Sequence, residues 1–277
     1  MKVVVTGATG FVGRYVVTEL EARGVESLAV SRQARKLPAG QGCGVSLDLH
    51  DVPVGVYELL GCPDVLIHLA WSGLPNYKSL HHFEVELPAH YAFLKALIDG
   101  GLKHLVVAGT CLEYGIRSGP LSEVAASHPT TAYGFAKDAL RRQLEFLREA
   151  RSFRLVWARL FYLYGEGQAE SSLYSQLRRA AEKGNRVFNM SGGEQLRDFL
   201  PVGKAAAHLV SLALTPVDAG VVNVCSGKPI SIRKLVEGWI DEHRWAIAPN
   251  LGYYPYPDYE AMAFWGDRSK LDRLLAR

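Results

Sequence analysis

The sequence predicts an α/β protein, a doubly wound parallel sheet with helices on both faces and a smaller carboxyl-terminal lobe. Short β-branched runs alternate with amphipathic helical stretches through the first half of the chain, which is the pattern of βαβ units. Two of these runs, residues 65–69 and 105–108, are apolar at almost every position. Such runs are typical of strands that are covered on both faces of a parallel sheet.

The elements of the first half follow one another in a regular order. The runs KVVVTG, ESLAVSR, VLIHLAW and HLVVAGT predict strands. The segment FVGRYVVTELEARG and the stretch that ends in LKALIDGG predict helices between them. A helix over residues 133–150 and a strand over FRLVWARLF complete this half.

The first predicted strand leads directly into a glycine-rich loop and then into a helix. Glycines permit a tight turn and a close approach of the backbone, and the N–H groups of the following helix can bind a pyrophosphate. Glycine turns also arise for purely steric reasons, but the position of this one, at the first strand of a βαβ pattern, favours a Rossmann-type dinucleotide site. The residues of the loop expected to bind the cofactor are Gly7, Thr9, Gly10, Phe11, Val12 and Gly13.

The end of the second predicted strand indicates which dinucleotide is bound. An acidic residue about 20 positions beyond the glycines normally binds the ribose 2′-hydroxyl of NAD. This chain has Ser31 and Arg32 there, with Arg35 and Lys36 just beyond. A hydroxyl and a guanidinium suit a 2′-phosphate, because Arg offers forked donors and a fixed positive charge. We expect NADP(H) to be preferred, with NAD(H) possible; the alternative is that Arg32 is a solvated loop charge.

The second half of the chain is less regular. Helices are predicted over residues 172–183, 203–214 and 231–242, and the runs RVFNM and GVVNVCS predict strands. We expect residues 1–165 to form the dinucleotide-binding Rossmann domain. Residues 166–277 are expected to form mainly a substrate-binding lobe, interleaved with returns to the main sheet.

Composition argues against several classes of partner. The formal net charge is +3 and the basic residues are scattered among acids, so we expect no nucleic-acid partner. We expect a cytoplasmic protein without a membrane partner, because no apolar run approaches the length that spans a bilayer and no signal-peptide pattern is present. The four cysteines lie far apart in the sequence, which favours reduced thiols over a set of disulfide bonds. The adjacent His81 and His82 would point in different directions on a helix, so we expect no metal site.

A tyrosine and a lysine at helical spacing are the strongest candidates for catalysis. Tyr133 and Lys137 stand four residues apart, on one face of a predicted helix. A nearby cation favours phenolate, so we expect the pKa of Tyr133 to lie below its usual value of about 10, in the range useful for proton transfer. Thr110 ends a strand about one βα unit earlier, where open parallel sheets place their ligands. Its hydroxyl can bond the same substrate oxygen.

With these motifs the chain resembles the extended short-chain dehydrogenases, the NAD-dependent epimerase/dehydratase family of sugar-nucleotide enzymes. The resemblance covers essentially the whole length. The matching segments are TGATGFVG, Asp48–Leu49, His68–Leu69–Ala70, Thr110 with Tyr114–Gly115, Tyr133–Lys137, ARLFYLYGEGQ, QLRDFLPV, NVCSGKPISIRKLVE and GDRSKLDRLL.

The resemblance implies a role for each residue that matches a family motif. Tyr133 would be the general acid, and Lys137 would orient the nicotinamide ribose and lower the tyrosine pKa. Thr110 would occupy the usual Ser or Thr site. Asp48 and Leu49 would lie beside the adenine of the cofactor.

The same resemblance suggests cofactor and substrate contacts elsewhere. Leu69 and Ala70, at the end of a strand, would belong to the cofactor site. Arg197 would bind the nucleotide diphosphate through charge-assisted bonds, or alternatively form an internal salt bridge, for example with Asp198. Trp71 stands where many relatives have a small residue. It would pack against the sugar or the nicotinamide, or else cap the core.

The resemblance also favours one reaction over the others in the family. Dehydratases of the family commonly carry acidic residues at the two positions after the active-site threonine. This chain has Cys111 and Leu112 there, so it has no carboxylic acid to protonate the hydroxyl that leaves when water is eliminated. Glu113 follows one place later, and on an extended segment it would point to the opposite face. Epimerases usually hold NAD tightly and favour an acidic residue at the end of strand two. We therefore expect reduction of a sugar ketone, most often at C4, with hydride from the nicotinamide.

The segments HLAW, GTCLEYG and LFYLYGEGQ resemble those of bacterial reductases of dTDP-4-keto-6-deoxyhexoses, including those that make dTDP-fucose for surface polysaccharide. This implies an NADPH-dependent 4-ketoreductase with a nucleotide-sugar substrate. It also implies a homodimer, because relatives commonly pair through a four-helix bundle that includes the catalytic helix. Two alternatives stay open, a nucleotide-sugar 4-epimerase and a non-catalytic NADP-binding sensor. Intact Thr110, Tyr133 and Lys137 argue against the sensor.

Overall fold

The computed structural model describes residues 1–32, 43–256 and 261–276. The strands that the sequence predicts in the first half of the chain are present, and a helix lies between each successive pair of them. Their bounds are β1 (Val3–Thr6), α1 (Phe11–Ala22), β2 (Ser27–Ser31), β3 (Cys43–Ser46), α2 (Val56–Leu59), β4 (Val65–His68), α3 (Leu87–Gly100), β5 (His104–Thr110), β6 (Gly119–Leu121), α4 (Ala132–Ala150), β7 (Arg154–Leu160), β8 (Tyr162–Tyr164), α5 (Leu173–Glu182), β9 (Val187–Asn189), β10 (Leu196–Pro201), α6 (Val202–Leu214), β11 (Gly220–Val224), β12 (Pro229–Ser231), α7 (Ile232–His243), β13 (Ala248–Asn250), β14 (Phe264–Gly266) and α8 (Ser269–Leu275).

Seven parallel strands form the main sheet, in the order β3–β2–β1–β4–β5–β7–β11. The order reverses at β1, because the chain first runs outward through β2 and β3 and then returns to β4 on the other side of β1. Val3 accordingly pairs with Ser27 of β2 and with Val65 of β4. Open parallel sheets bind their ligands at such a reversal, outside the carboxyl ends of the strands.

Helices cover both faces of this sheet, which confirms the predicted doubly wound α/β fold. Successive side chains of a strand point to opposite faces. Val3 and Val5 of β1 therefore pack with α1 and α6, whereas Val4 between them packs with α3 and α4. All three valines are fully buried, as expected for a strand near the centre of the sheet.

The carboxyl-terminal part of the chain contributes to both the main sheet and a separate cluster. Leu177 of α5, Phe188 of β9 and Trp239 of α7 belong to an apolar cluster of their own. Strand β10 pairs with β8 and β12, and β14 pairs with β6. Between these elements α6 and β11 return to the main sheet.

Two further observations bear on the expectations from composition. None of the helices within the described ranges is both long and apolar enough to cross a bilayer. The side chains of Cys62, Cys111 and Cys225 are free thiols, as the spacing of the cysteines predicts.

Candidate active site

A cleft of about 220 Å³ opens at the carboxyl ends of β1, β2 and β4, where the strand order reverses. Most of the residues predicted to bind the cofactor lie in its wall. The predicted residues that line the cleft are Gly7, Thr9, Gly10, Ser31, Arg32, Asp48, Leu49, Leu69, Ala70 and Trp71. The other lining residues are Thr6, Val30, Leu47, His50, Ser72, Glu86 and His90.

Close backbone packing explains two of the glycines beside this cleft. Gly7 has a φ of +69°, and a Cβ there would lie 2.7 Å from the main-chain nitrogen of Ala70. A Cβ on Gly13 would lie 2.1 Å from the carbonyl oxygen of Gly7. Phe11, Val12 and Gly13 form the first turn of α1, which no described side chain caps. Its first N–H groups have no partner within the helix and remain available to an anion.

The end of β2 carries a buried polar atom without a partner. The Ser31 hydroxyl has no hydrogen-bond partner among the described residues, although the residue is only 8% exposed. A buried hydroxyl in this state costs free energy unless a ligand supplies the bond. Arg32 lines the same part of the cleft and is exposed. With the glycine loop, these residues fit a dinucleotide; Arg35 and Lys36 lie outside the described residues.

Trp71 connects the cleft to Tyr133 and Lys137, which are not part of the cleft wall. The Lys137 Nζ lies 3.9 Å from the centroid of the indole, and the Tyr133 ring lies 6.1 Å from it, centroid to centroid. The indole Nε1 donates a hydrogen bond of 3.1 Å to His82 Nδ1. The indole is also stacked on His90, with centroids 4.6 Å apart. Trp71 thus packs against the apolar core on the α3 and α4 side of the main sheet and also lines the cleft, so both roles expected for it stay open.

The structure brings the three predicted catalytic residues together. Thr110 is the last residue of β5, Tyr133 is the second residue of α4, and Lys137 follows one turn later. All three are buried, and a hydrogen bond links the side chains of Tyr133 and Thr110. The Lys137 ammonium donates a hydrogen bond of 3.0 Å to the carbonyl oxygen of Ala108.

Burial changes the expected charge states of this group. It raises the pKa of the Tyr133 phenol above 10, and the neighbouring Tyr77 and Glu113 add to the effect. The expectation of a lowered tyrosine pKa is therefore wrong for this protein, because desolvation of the phenolate outweighs the favourable contacts. Burial also lowers the pKa of Lys137 to about 7. The phenol is consequently protonated at neutral pH, while the ammonium is close to its titration point.

Glu113 occupies a different place from the one predicted. Residues Cys111–Tyr114 form a 3-10 helix, not an extended segment, and this turn directs Glu113 into the core beneath Thr110. Its carboxylate accepts bonds of 2.8 Å from the Thr110 N–H, 2.9 Å from Trp157 Nε1 and 2.7 Å from Arg159 Nε. The sequence does contain a signal for this arrangement, since Thr-x-x-Glu is the pattern of a capping box.

A second acidic residue, Glu86, lies at the site and is not among the residues that the sequence predicts there. A π-helix over residues 82–86 precedes α3 and ends at Glu86, which is 1% exposed. Its carboxylate accepts hydrogen bonds of 2.8 Å from the Ser72 N–H and 3.1 Å from His90 Nε2. The spacing of Glu86 and His90, four residues apart, is the one available signal for this contact.

Arg197 lies away from the cleft. It is buried in β10, and its guanidinium donates to the carbonyl oxygens of Leu196 and Met262, at 2.9 and 3.2 Å. The Phe264 ring lies 4.5 Å from the guanidinium carbon. Asp198 accepts hydrogen bonds from the main chain of residues 226–227. The contact of Arg197 with a substrate diphosphate stays a prediction.

Comparison with known proteins places this site in a family. The profile of the NAD dependent epimerase/dehydratase family matches residues 3–225. A dTDP-6-deoxy-L-talose 4-dehydrogenase (NAD(+)) from Aggregatibacter actinomycetemcomitans is 31% identical over 271 residues, 96% of this chain and 99% of that enzyme. A dTDP-6-deoxy-L-talose 4-dehydrogenase (NAD(P)(+)) from Kitasatospora kifunensis is 29% identical over 93% of this chain and 83% of its own length.

Among solved structures, MoeE5 in complex with UDP-glucose and NAD superimposes with a TM-score of 0.82 at 28% identity. The match covers 100% of this chain and 92% of that one. Fold, glycine loop and family profile agree along the length of the chain. This protein is therefore a member of the NAD dependent epimerase/dehydratase family.

Proposed function

We propose that this protein transfers a hydride between NADP(H) and C4 of a nucleotide-linked 6-deoxyhexose, as a 4-ketoreductase of a dTDP-4-keto-6-deoxyhexose. The observation that carries the proposal is the grouping of buried Thr110, Tyr133 and Lys137 beside a cleft that fits a dinucleotide. The 4-dehydrogenase activities named for two relatives are the same hydride transfer written in the oxidative direction. The product would be a 4-hydroxy sugar such as dTDP-fucose or dTDP-6-deoxytalose, used for surface polysaccharide.

In this proposal the three buried residues have different tasks. The bound nicotinamide supplies the hydride. Tyr133, which burial keeps protonated at neutral pH, donates its proton to the substrate oxygen, and Thr110 hydrogen-bonds the same oxygen. Lys137 binds the ribose hydroxyls, and its ammonium stabilises the phenolate that remains. One hydride and one proton together convert the ketone to an alcohol.

The remaining site assignments belong to the same proposal. Residues 166–277 would mainly supply the substrate lobe, with Arg197 on the nucleotide diphosphate and Trp71 beside the sugar or the nicotinamide. A homodimer would form through the face of α4 that exposes Phe135 and Phe146, since large apolar side chains on one helix favour association.

Assays with a dTDP-4-keto-6-deoxy sugar and NADPH test the function. We expect NADPH to be consumed in equal amount with the keto sugar. An epimerase would interconvert two 4-hydroxy sugars without net use of the cofactor, and a sensor would bind NADPH and consume none.

A dehydratase would form a 4-keto-6-deoxy sugar from dTDP-glucose and NAD. We expect no such product, because Cys111 and Leu112 provide no acid for elimination.

The preference for NADPH rests on Ser31 and Arg32. Replacing Arg32 by alanine is expected to weaken NADPH binding by about 1.5–3 kcal/mol, the range for a charge-assisted bond, and to leave NADH binding almost unchanged. Titration of both cofactors by fluorescence measures the difference. Arg178→Ala, at an arginine of α5 whose side chain is 39% exposed, is the matched control. Equal losses for NADPH and NADH would show that Arg32 does not recognise the 2′-phosphate.

A further inference from the structure

His50 lies in the wall of the cleft, between two carboxylates. Its Nδ1 is 2.9 Å from Asp48 Oδ1, and its Nε2 is 2.8 Å from Glu86 Oε1. Ionised carboxylates only accept hydrogen bonds, so both contacts are hydrogen bonds only when both ring nitrogens carry a proton, as they do in an imidazolium. These contacts raise the pKa of His50, the bond to Asp48 most strongly, and thus extend the charged form to higher pH.

The contacts of Glu86 keep its carboxylate ionised. Burial acts to raise its pKa, but hydrogen bonds from His90, Ser72 and His50 outweigh burial and lower the pKa well below the usual value. The Ser72 N–H and hydroxyl donate at 2.8 and 2.7 Å. The His81 Nε2 lies 3.1 Å from Glu86 Oε1.

The two deeper histidines do not contribute a positive charge. The His90 Nδ1 lies 2.7 Å from His68 Nε2, and the His68 Nδ1 lies 2.8 Å from the Thr6 hydroxyl. His90 can therefore donate from Nε2 to Glu86 and accept at Nδ1 from His68 Nε2. His68 can in turn accept at Nδ1 from the Thr6 hydroxyl. Each ring then donates one hydrogen bond and accepts one, as a neutral imidazole does. Burial lowers the pKa of both rings. The positive charge between the two carboxylates thus resides on His50.

Two other cations lie near His50, its two carboxylate partners and the two deeper histidines, on neighbouring elements. The charge of Arg32, at the end of β2, acts on Asp48, and the charge of Lys137, on α4, acts on His68 and His90. Neither of them lies between the two carboxylates. Without the proton on His50, no cation would lie between the carboxylates of Asp48 and Glu86, and Arg32 alone would offset them in the cleft wall beside an anionic ligand.

We propose that His50 is the charge-balancing residue of the cofactor cleft, and that the anionic dinucleotide binds to the form in which His50 is protonated. The inference rests on the dinucleotide site of the proposed function, but not on the reduction of a keto sugar. Because the pKa of His50 is raised, affinity is high below that pKa, falls as the pH rises through it, and then levels off. A unit charge removed at cleft distances from a pyrophosphate corresponds to a loss of roughly tenfold.

Binding of NADH, followed by its fluorescence between about pH 6 and pH 9, tests the inference. NADH is the probe because it has no phosphate monoester of its own to titrate. The parent is expected to lose affinity roughly tenfold across the titration of His50, whereas His50→Gln binds weakly at every pH. His50→Lys, which keeps a cation, is expected to bind tightly without this pH step. His243→Gln, at an exposed histidine of α7, is expected to match the parent.

Lys137 also titrates in this range, with a pKa of about 7, so the comparison is repeated in a Lys137→Met background. The pH step is expected to persist in Lys137→Met and to vanish in the double variant with His50→Gln. The inference would be overturned if Lys137→Met and the double variant lost the same amount of affinity as the pH rises. It would also be overturned if His50→Gln bound NADH as tightly as the parent. If His50→Gln does not fold by circular dichroism, His50→Lys decides alone. Failure of the parent to bind either NADH or NADPH at any pH would instead overturn the dinucleotide site itself.

Discussion

Replacing Tyr133 by phenylalanine is expected to lower kcat on a keto-sugar nucleotide by roughly 10²-fold or more, the scale of a lost positioned acid. The phenol is buried, protonated at neutral pH and hydrogen-bonded to Thr110, so its removal takes away the proton donor while the ring still fills its place. Affinity for NADPH is expected to change little, because the hydroxyl acts on the substrate oxygen. Steady-state kinetics and NADPH titration on the same preparation separate the two effects.

Two further variants sharpen this expectation. Thr110→Val keeps the shape of the side chain and should mainly reduce turnover, whereas Lys137→Ala should impair both turnover and cofactor binding. If Tyr133→Phe reduced the ketone as fast as the parent, with a deuteride isotope effect showing that chemistry limits the rate, the proton would have to come from another group. If Tyr133→Phe left cellular function and cofactor binding unchanged, the alternative of a non-catalytic NADP-binding sensor would be favoured.

Replacing Glu113 by alanine is expected to destabilise the fold by about 3–5 kcal/mol, the range for breaking a buried ion pair. The variant leaves the Arg159 guanidinium, 2% exposed, without its carboxylate partner at 2.7 Å. It also removes the acceptor for the Thr110 N–H and for the Trp157 indole. Gly109 reflects the same packing, since a Cβ there would lie 2.2 Å from Trp157 Nε1 and 2.6 Å from Glu113 Oε1.

Urea-induced unfolding measures this loss. Glu237→Ala is the matched control, because its pair with Arg233 is also a carboxylate–guanidinium contact of 2.8 Å, but the two side chains are 40% and 53% exposed. We expect it to cost about 0.5 kcal/mol or less. If the two variants lost the same small amount of stability, burial of the Glu113–Arg159 pair would not matter to the fold.

The long elements were predictable from the sequence because each carries its own pattern. Strand β5 contains the apolar run of residues 105–108, and α4 combines an apolar stripe with a polar face, so the pattern along the sequence identifies both. Strands such as β6, β8 and β14 contain three residues each, too few to show alternation. Their conformation depends on a distant partner, as β14 does on β6.

The candidate site was predictable where a motif is local. The glycine loop lies on consecutive residues, and Tyr133 and Lys137 share one helix face. His50 and Glu86, by contrast, are 36 positions apart and meet only in the folded chain. The pKa of Tyr133 depends on burial, which spacing does not reveal, and the position of Glu113 depends on a 3-10 turn in place of an extended segment. Contacts made across the fold therefore account for the errors.

Deuterium on the cofactor shows whether the nicotinamide transfers a hydride to C4 of a nucleotide-linked keto sugar. NADPH carrying deuterium at the transferable position of the nicotinamide is incubated with the protein and a dTDP-4-keto-6-deoxy sugar, and the product is examined by NMR. We predict one deuterium at C4 of a 4-hydroxy product and an equal amount of oxidised cofactor. A product without deuterium at C4, or conversion of the sugar with no net oxidation of NADPH, would contradict hydride transfer from the nicotinamide to C4.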